Sequence, residues 1–494
     1  MAAARLGCGA VSLDRKWWTL IAVCTAIFML LLDITVVNVA LPKIAESLHA
    51  SFTDLQWVID AYALSLAVFV LTGGSLADLL GRRRVFAAGV ALFTGASILC
   101  GAATTPLFLI LARALQGIGG AIMFATSLAL LSQAFRGRER GTAFGIWGAT
   151  TGAAVAIGPL VGGALTDGLN WRWIFFVNIP IGIFTLVVAF TRVDESRDET
   201  HGGIDWLGLA TLCGALFLLV YALLRGNDKG WTSGQIVAEL VGAVVLLAAF
   251  CTVELRQRDP MLDLRLFRNP AFAGAQITAF TLSAAAFSMF LYLTLYLQNV
   301  LGFTPLGAGV RFLPVTLLAF AVAPIAGKLS AHMPVRVLLA GGLLLVTGGM
   351  LLMRGLHTES TWTSLLAGFI LLGAGIGMVN PPLASTAIGV VGPRRAGMAS
   401  GVNNTFRQVG IATGIAAFGA IFQHRIQSEL HVSSGGLRAI IAGHGEAARH
   451  AFVVGLNELF LIAAIVAFVG AALAFALVRR RDFAQEPAAQ NAPA

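Results

Sequence analysis

The sequence predicts an all-α integral membrane protein with fourteen transmembrane helices. Its composition, the recurrence of long apolar runs and the placement of its basic residues all lead there. A soluble domain carries about a quarter charged residues, whereas 12% of these 494 residues are charged and 57% are hydrophobic. Crossing the hydrocarbon core takes about 20 apolar residues in helical form. Runs of that length recur from Trp18–Ala40 to Phe452–Val478. Backbone polar groups find no water in lipid, so each run is expected to close its own hydrogen bonds as a helix. A membrane barrel would show alternating segments of about ten residues instead.

The runs place helices at 18–40, 55–77, 85–103, 107–131, 142–166, 173–191, 205–225, 236–254, 272–299, 307–330, 335–353, 362–391, 397–422 and 450–478. The first run is too long for a signal peptide and lacks a small-residue cleavage site, so it is expected to persist as helix one. Charge sets the orientation. With the N-terminus cytoplasmic, 22 of the 33 Lys and Arg residues fall on the inner side and 9 on the outer side, while Arg113 and Arg407 lie within helices. That asymmetry predicts both termini inside and agrees with an even helix count. A basic loop after helix two, Gly81-Arg82-Arg83-Arg84, has a weaker counterpart between Gly327-Lys328 and Arg336. Transporters are often built from repeated halves. The expected plan is therefore an N-terminal six-helix bundle over 1–195, two inserted helices over 196–258, a C-terminal six-helix bundle over 259–482 and a disordered tail over 483–494.

Several function classes are disfavoured. The formal net charge of +9 reads as membrane orientation rather than a nucleic-acid footprint, since the bases sit mostly in short loops. The five cysteines have neither metal-like nor disulfide-framework spacing. No Gly-x4-Gly-Lys-Ser/Thr run is present to bind ATP, and no nucleophile–base pair or metal cluster suggests an enzyme. No cofactor is expected. A proton gradient is the expected energy source.

An ionisable group inside a membrane helix costs at least about 2.5–3.5 kcal/mol and is by default a functional candidate. Asp33, Asp60 and Arg113 stand out. At 1.5 Å per residue they lie roughly 8–10 Å in from the outer face. A carboxylate exposed alternately to the two sides can take up and release a proton, and a cationic cargo competes with that proton for the same charge. The alternative is an Asp–Arg pair that only fixes helix packing. Arg407 is a further candidate for contacting substrate, or for hydrogen bonds between helices, and Asn380, also a substrate candidate, opens the Asn380-Pro381-Pro382 interruption of helix twelve, which suits a gating kink. In helix five, Gly152-x5-Gly158-Pro159-x2-Gly162-Gly163 suits a bending or sliding contact, or simply tight packing.

Taken together, these runs resemble the major facilitator superfamily, and within it the fourteen-helix drug:proton antiporters of the EmrB/QacA type. The similarity spans nearly the whole chain. Gly74-Ser75-Leu76-Ala77-Asp78-Leu79-Leu80-Gly81-Arg82-Arg83-Arg84 resembles the superfamily's cytoplasmic signature. That resemblance implies a state-stabilising role for Gly74, Asp78, Gly81, Arg82 and Arg83. Leu109–Gly120, with Arg113, Gln116, Gly117 and Gly119, resembles the helix-four motif tied to proton transfer. Gly152–Gly163 resembles the antiporter motif, which implies export and assigns a conformational role to Gly158, Pro159, Gly162 and Gly163. Leu32–Pro42 and Trp171–Pro180 resemble signatures of the fourteen-helix group. Asp60, within Trp57-Val58-Ile59-Asp60-Ala61-Tyr62, is similar to an acid found in exporters of cationic drugs.

The resemblance implies a major facilitator fold and a proton-coupled multidrug efflux antiporter in a bacterial inner or plasma membrane. It would act as a monomer on small lipophilic, cationic substrates, with Asp33 and Arg113 in proton coupling and Asp33, Asp60, Asn380 and Arg407 in substrate binding. Two alternatives remain: a dedicated exporter of one metabolite or antibiotic, and a proton-coupled nutrient uptake carrier.

Overall fold

A computed structural model describes residues 14–135, 137–196, 205–257, 260–330, 332–391, 396–430 and 446–479. The expected tail 483–494 and the side chain of Asp78 lie outside the described residues. Fourteen helices are long and apolar enough to cross a membrane, and no strand occurs among the described residues. They are α1 (Arg15–Leu48), α2 (Phe52–Leu80), α3 (Arg82–Gly101), α4 (Pro106–Ala134) and α5 (Gly137–Gly168). Next come α6 (Trp173–Arg192), α7 (Trp206–Lys229), α8 (Gly234–Arg256), α9 (Pro270–Val300) and α10 (Pro305–Leu329). The last four are α11 (Val335–Met353), α12 (Trp362–Ala387), α13 (Ala396–Leu430) and α14 (Glu446–Leu477). Each corresponds to one apolar run of the sequence.

Local signals start several of these helices. Ser51 and Asp54 form a reciprocal capping box at α2, which satisfies backbone N–H groups that have no partner within the helix. Thr105-Pro106, Asn269-Pro270 and Thr304-Pro305 each place a capping side chain before a proline. Proline in the first turn loses nothing, because the N–H it lacks would be unbonded there anyway.

The packing repeats. In the first six helices α1 packs on α5 and α6, α4 on α2 and α3, and α3 on α6. Eight helices later α9 packs on α13 and α14, α12 on α10 and α11, and α11 on α14. Between the groups, α5 packs against α10 and α2 against α13. These two seams exchange places under the same shift of eight helices.

Helices α7 and α8 pair with each other, and α7 lies along both α2 and α13. Trp57 of α2 meets Phe217 and Tyr221 of α7 with ring centroids 5.7 and 6.2 Å apart, and Asn227 of α7 donates to the Ala420 carbonyl of α13. The pair therefore lies over the α2–α13 seam. Only 17% of the apolar window of α8 is buried, against 83% for α9. That contrast puts α8 at the lipid-facing rim and α9 in the middle of the molecule. Helix α9 is also the irregular one: its hydrogen bonding widens to π turns at Ser283–Phe287 and Tyr296–Val300, a feature that often marks functional helices.

Candidate functional site: a buried ion network beside a central cavity

Asp33 in α1 and Arg113 in α4 are buried, with 0% and 2% exposure. An Arg113 guanidinium nitrogen donates to Asp33 Oδ2 at 2.5 Å and to Gln116 Oε1 at 2.6 Å. Asp33 Oδ1 accepts from Gln116 Nε2 at 2.8 Å and from Asn178 Nδ2 at 3.2 Å. Ser97 Oγ accepts from the same two amides at 2.7 and 3.2 Å. Arg113 Nε donates to the Val58 carbonyl of α2 at 3.2 Å, and its guanidinium lies 4.1 Å above the Tyr62 ring. Glycine makes that reach possible: a Cβ on Gly117 would lie 2.5 Å from the Tyr62 carbonyl oxygen, so α4 approaches α2 only without one. The network draws on α1, α2, α3, α4 and α6. Charges so enclosed are stable together, and removing one partner leaves the other uncompensated.

Asp60 does not join this cluster, although the sequence places it at a similar depth. It too is fully buried, and neither carboxylate oxygen has a hydrogen-bond partner. Its side of α2 looks across to the second helix group. Gln56, one turn earlier, donates to the Ile415 carbonyl of α13 at 2.9 Å, and Phe52 of the same helix meets Tyr292 of α9 with ring centroids 6.1 Å apart. Tyr292 donates to that same carbonyl at 2.8 Å. Asp33, Arg113 and Asp60 are thus one neutralised pair inside the first group and one acid without a partner at the seam.

A cavity lies between the groups, with about 740 Å³ of space free of protein atoms, its mouth included. Thr35, Asn38, Ile59 and Pro159 wall it from one side, and Phe287, Phe290, Thr294, Phe312, Thr316, Ile376, Ile411 and Ile415 from the other. Aromatic and aliphatic walls with a few hydroxyl and amide groups suit small lipophilic molecules. Asp33, Asp60, Asn380 and Arg407 are not among the lining residues. The residues that are had a faint sequence signal: Thr35 and Asn38, three apart on one helix face, belong to the Leu32–Pro42 run, on a different face from Asp33.

Arg407 of α13 donates to Asn380 Oδ1 of α12 at 2.7 Å and to Asn403 Oδ1 at 3.4 Å, and Asn403 donates to Gln276 Oε1 of α9 at 3.2 Å. No acid pairs with Arg407 among the described residues.

The helix-five glycines sit at both contacts of α5. A Cβ on Gly158 or Gly162 would strike Thr35 or Val36 of α1, and one on Gly163 would come 2.7 Å from Leu306 Cα of α10. From the other side, a Cβ on Gly309 would come 2.3 Å from the Pro159 carbonyl oxygen. Gln298 of α9 adds a bond to the Val39 carbonyl at 2.7 Å. The groups are therefore closed together at the end of the molecule away from the termini. Toward the other end, Gly74 of α2 and Gly145 and Gly148 of α5 face open space.

There the basic loop is held by a residue the motif did not point to. Glu195, after α6, accepts from the Arg83 backbone N–H at 3.0 Å and lies 3.6 Å from the side-chain Nε of both Arg83 and Arg84. Arg82 N–H donates to the Ser196 carbonyl at 2.9 Å. Gly81 adopts φ 105°, and a Cβ there would meet the Glu195 carboxylate at 2.7 Å.

Comparison with known proteins agrees with this architecture. The chain is 40% identical over 405 residues to the multidrug resistance protein Stp of Mycobacterium tuberculosis, covering 82% of this chain and 75% of that one. It is 37% identical over 462 residues to the puromycin resistance protein pur8 of Streptomyces alboniger, covering 92% and 91%. With the tetracenomycin C resistance and export protein of Streptomyces glaucescens it shares 32% over 413 residues, covering 83% and 77%. A bacterial homolog of the human lysosomal transporter Spinster, solved in an inward-facing and unoccupied conformation, shares the fold at TM-score 0.66 and 18% identity, covering 96% of this chain and 99% of that one. The profile of the Major Facilitator Superfamily matches residues 23–415, and the chain belongs to that superfamily of membrane transporters, a carrier rather than an enzyme.

Proposed function

We propose that this carrier exports lipophilic drugs or antibiotics, cations among them, in exchange for protons, by rocking two six-helix bundles about the central cavity. The observation that carries the reading is the cavity itself, walled by both helix groups and flanked by a buried Asp33–Arg113 network. Relatives named for multidrug resistance, for puromycin resistance, and for tetracenomycin C resistance and export support it.

The repeated helix pairing supports bundles at 1–195 and 259–482 with 196–258 inserted. Cytoplasmic termini, which the basic loops favour, make the open end the inner one, ready to admit cargo. Asp33 and Arg113 serve proton coupling. When the network opens during the cycle, Asp33 takes up a proton and Arg113 rests on Gln116, Val58 and Tyr62. Asp60 is the acid available to a cation at the seam, and Asn380 and Arg407 offer polar contact from the second bundle. Gly158, Pro159, Gly162 and Gly163 permit the α5 contacts that must slide. Gly74, Gly81, Arg82 and Arg83, with Asp78, form the inner latch, Gly74 meeting its partner only when that end closes. A monomer suffices, since every named group comes from one chain.

The test is purified protein in sealed liposomes with an internal pH indicator. Addition of lipophilic cations should drive proton movement across the membrane, and Asp33→Asn should abolish it. Absence of substrate-linked proton flux over a broad panel of compounds would refute antiport. Accumulation in the direction of nutrient uptake would favour an importer.

A further inference from the structure

At the end of the molecule that carries the termini, the inserted helices hold two acids that the transport pathway does not use. Asp205 caps α7 and Glu254 lies in the last turn of α8, and they are only 5% and 3% exposed. Each spends one oxygen on the main chain: Asp205 Oδ1 accepts from Gly208 N–H at 2.7 Å, and Glu254 Oε2 accepts from Leu262 N–H at 3.1 Å. The remaining oxygens, Asp205 Oδ2 and Glu254 Oε1, are buried without a hydrogen-bond partner. Both turn toward the same point. They lie 2.4 and 3.0 Å from where a Cβ of Gly208 would stand, so they are at most the sum of these, 5.4 Å, apart.

Among the described residues the surroundings supply no countercharge. The charged groups bearing on Glu254 are Asp205 and Asp263, both acidic. Asp263 accepts from the Arg265 N–H through Oδ1. The described bases on the packed elements, Arg256 on α8 and Arg265 and Arg268 on the linker between α8 and α9, are exposed, and Arg258 lies outside the described residues. The nearby part of α2 contributes Thr72, which is not titratable and contacts Met261. Two facing carboxylates with no cation between them repel, and a single shared proton removes the conflict. A divalent cation takes six or more oxygen ligands, and no group of three or more His, Cys, Asp or Glu able to hold a metal ion occurs among the described residues.

We propose that Asp205 and Glu254 form a second proton-binding site in which two carboxyl groups share one proton, and that its occupancy secures the joint between the inserted helices and the second bundle. Proton uptake converts the carboxylate pair into an O–H···O⁻ bridge, and release restores two like charges. Glu254 holds the linker through Leu262. Met261 and Leu262 are buried in a core shared by the inserted helices and both groups, Met261 against Thr72 of α2, and the linker runs directly into α9. Repulsion at the pair therefore loosens the segment on which α9 is mounted. The site is separate from Asp33 and does not depend on the antiport reading.

The test uses the full chain in lipid nanodiscs, wild type against Asp205→Asn, Glu254→Gln and Gly208→Ala. Infrared difference spectra between acidic and alkaline pH should show a protonated-carboxyl C=O band in wild type that is lost in both acid variants. The midpoint of thermal unfolding should fall with rising pH more steeply in wild type than in Glu254→Gln, whose amide donates to Asp205 at every pH. Gly208→Ala, which keeps both acids but places a methyl between them, should shift or remove the band. An unchanged band and pH slope in all variants would overturn the proposal. So would a wild-type midpoint that rises with added calcium or sodium while the acid variants do not respond, which would make the pair a metal site. If Asp205→Asn fails to fold, the other two variants decide.

Discussion

The two six-helix groups share one packing plan and differ in what they enclose. The first buries an ionised pair whose polar atoms are filled by Gln116, Asn178, Ser97 and the Val58 carbonyl. The second gathers amides near one half-buried arginine, Asn380 and Asn403 bonded to Arg407 and Gln276 bonded to Asn403, and places two π turns in α9, the counterpart of α1. A charge pair held in a rigid frame suits binding and release of a proton. A helix with locally unwound hydrogen bonding, facing a cavity through Phe287, Phe290 and Thr294, suits accommodation of varied cargo. On the proposed antiport cycle, proton chemistry falls to the first group and shape to the second.

The largest expected effect follows from the ionised pair. Asp33→Asn strips Arg113 of its counter-ion, which costs about 3–5 kcal/mol when a buried pair loses one member, and should abolish substrate-driven proton flux. The double variant Asp33→Asn with Arg113→Gln removes both charges. Thermal unfolding should recover most of the lost stability while proton flux stays at background. Recovery of transport in the double variant would reduce the pair to a packing device and erase the contrast between bundles.

That pair was legible in the sequence because charge is rare in a membrane helix and the depths of Asp33 and Arg113 agree. All fourteen helices were legible for the same reason, since lipid demands long apolar runs. Which way a side chain faces was not. A helix that is apolar all round gives no stripe to mark its inner face, so Asp60 looked like a member of the Asp33 cluster when it faces α9 and α13. The cavity walls were hidden likewise: Phe290, Ile376 and Ile411 are ordinary residues until two bundles bring them together. Glu195, Asp205 and Glu254 act across long sequence separations, as the 112 residues between Arg83 and Glu195 illustrate, and no local spacing announces such contacts.

The seam at the closed end gives the next effect. A methyl on Gly309 would lie 2.3 Å from the Pro159 carbonyl oxygen, a backbone atom that cannot rotate away. Overpacking of this kind costs about 1–3 kcal/mol. Gly309→Ala should therefore shift the population toward the oppositely open state by about tenfold or more. Alkylation of a cysteine introduced at Thr35 from the outer face should rise in parallel. Equal labelling with and without the substitution would mean that the closed end is not held at this contact.

Asp60 separates cargo by charge. Asp60→Asn keeps the shape and removes the uncompensated acid, so export of lipophilic cations, divalent ones above all, should fall about tenfold, the equivalent of about 1.4 kcal/mol. Neutral compounds should be exported as before, and proton flux driven by them should persist. A uniform loss across charged and neutral compounds would move Asp60 from cargo recognition into the coupling machinery beside Asp33.

The smallest effect is expected at Arg407, and it bears most directly on the division of labour. Its two bonds to amide oxygens, 2.7 Å to Asn380 and 3.4 Å to Asn403, involve no opposite charge. Losing a hydrogen bond to a charged group costs about 1.5–3 kcal/mol, offset here because Asn403 keeps its bond to Gln276 and the arginine no longer has to be desolvated. Arg407→Gln should thus lower thermal stability by less than Asp33→Asn does and leave the number of protons moved per substrate unchanged. The ranking of exported compounds should change within a factor of about ten, a spread that one altered polar contact in a largely apolar cavity can produce. Proton flux lost in Arg407→Gln would place part of the coupling in the second bundle, and the amide cluster there would have to be read as a relay rather than a frame.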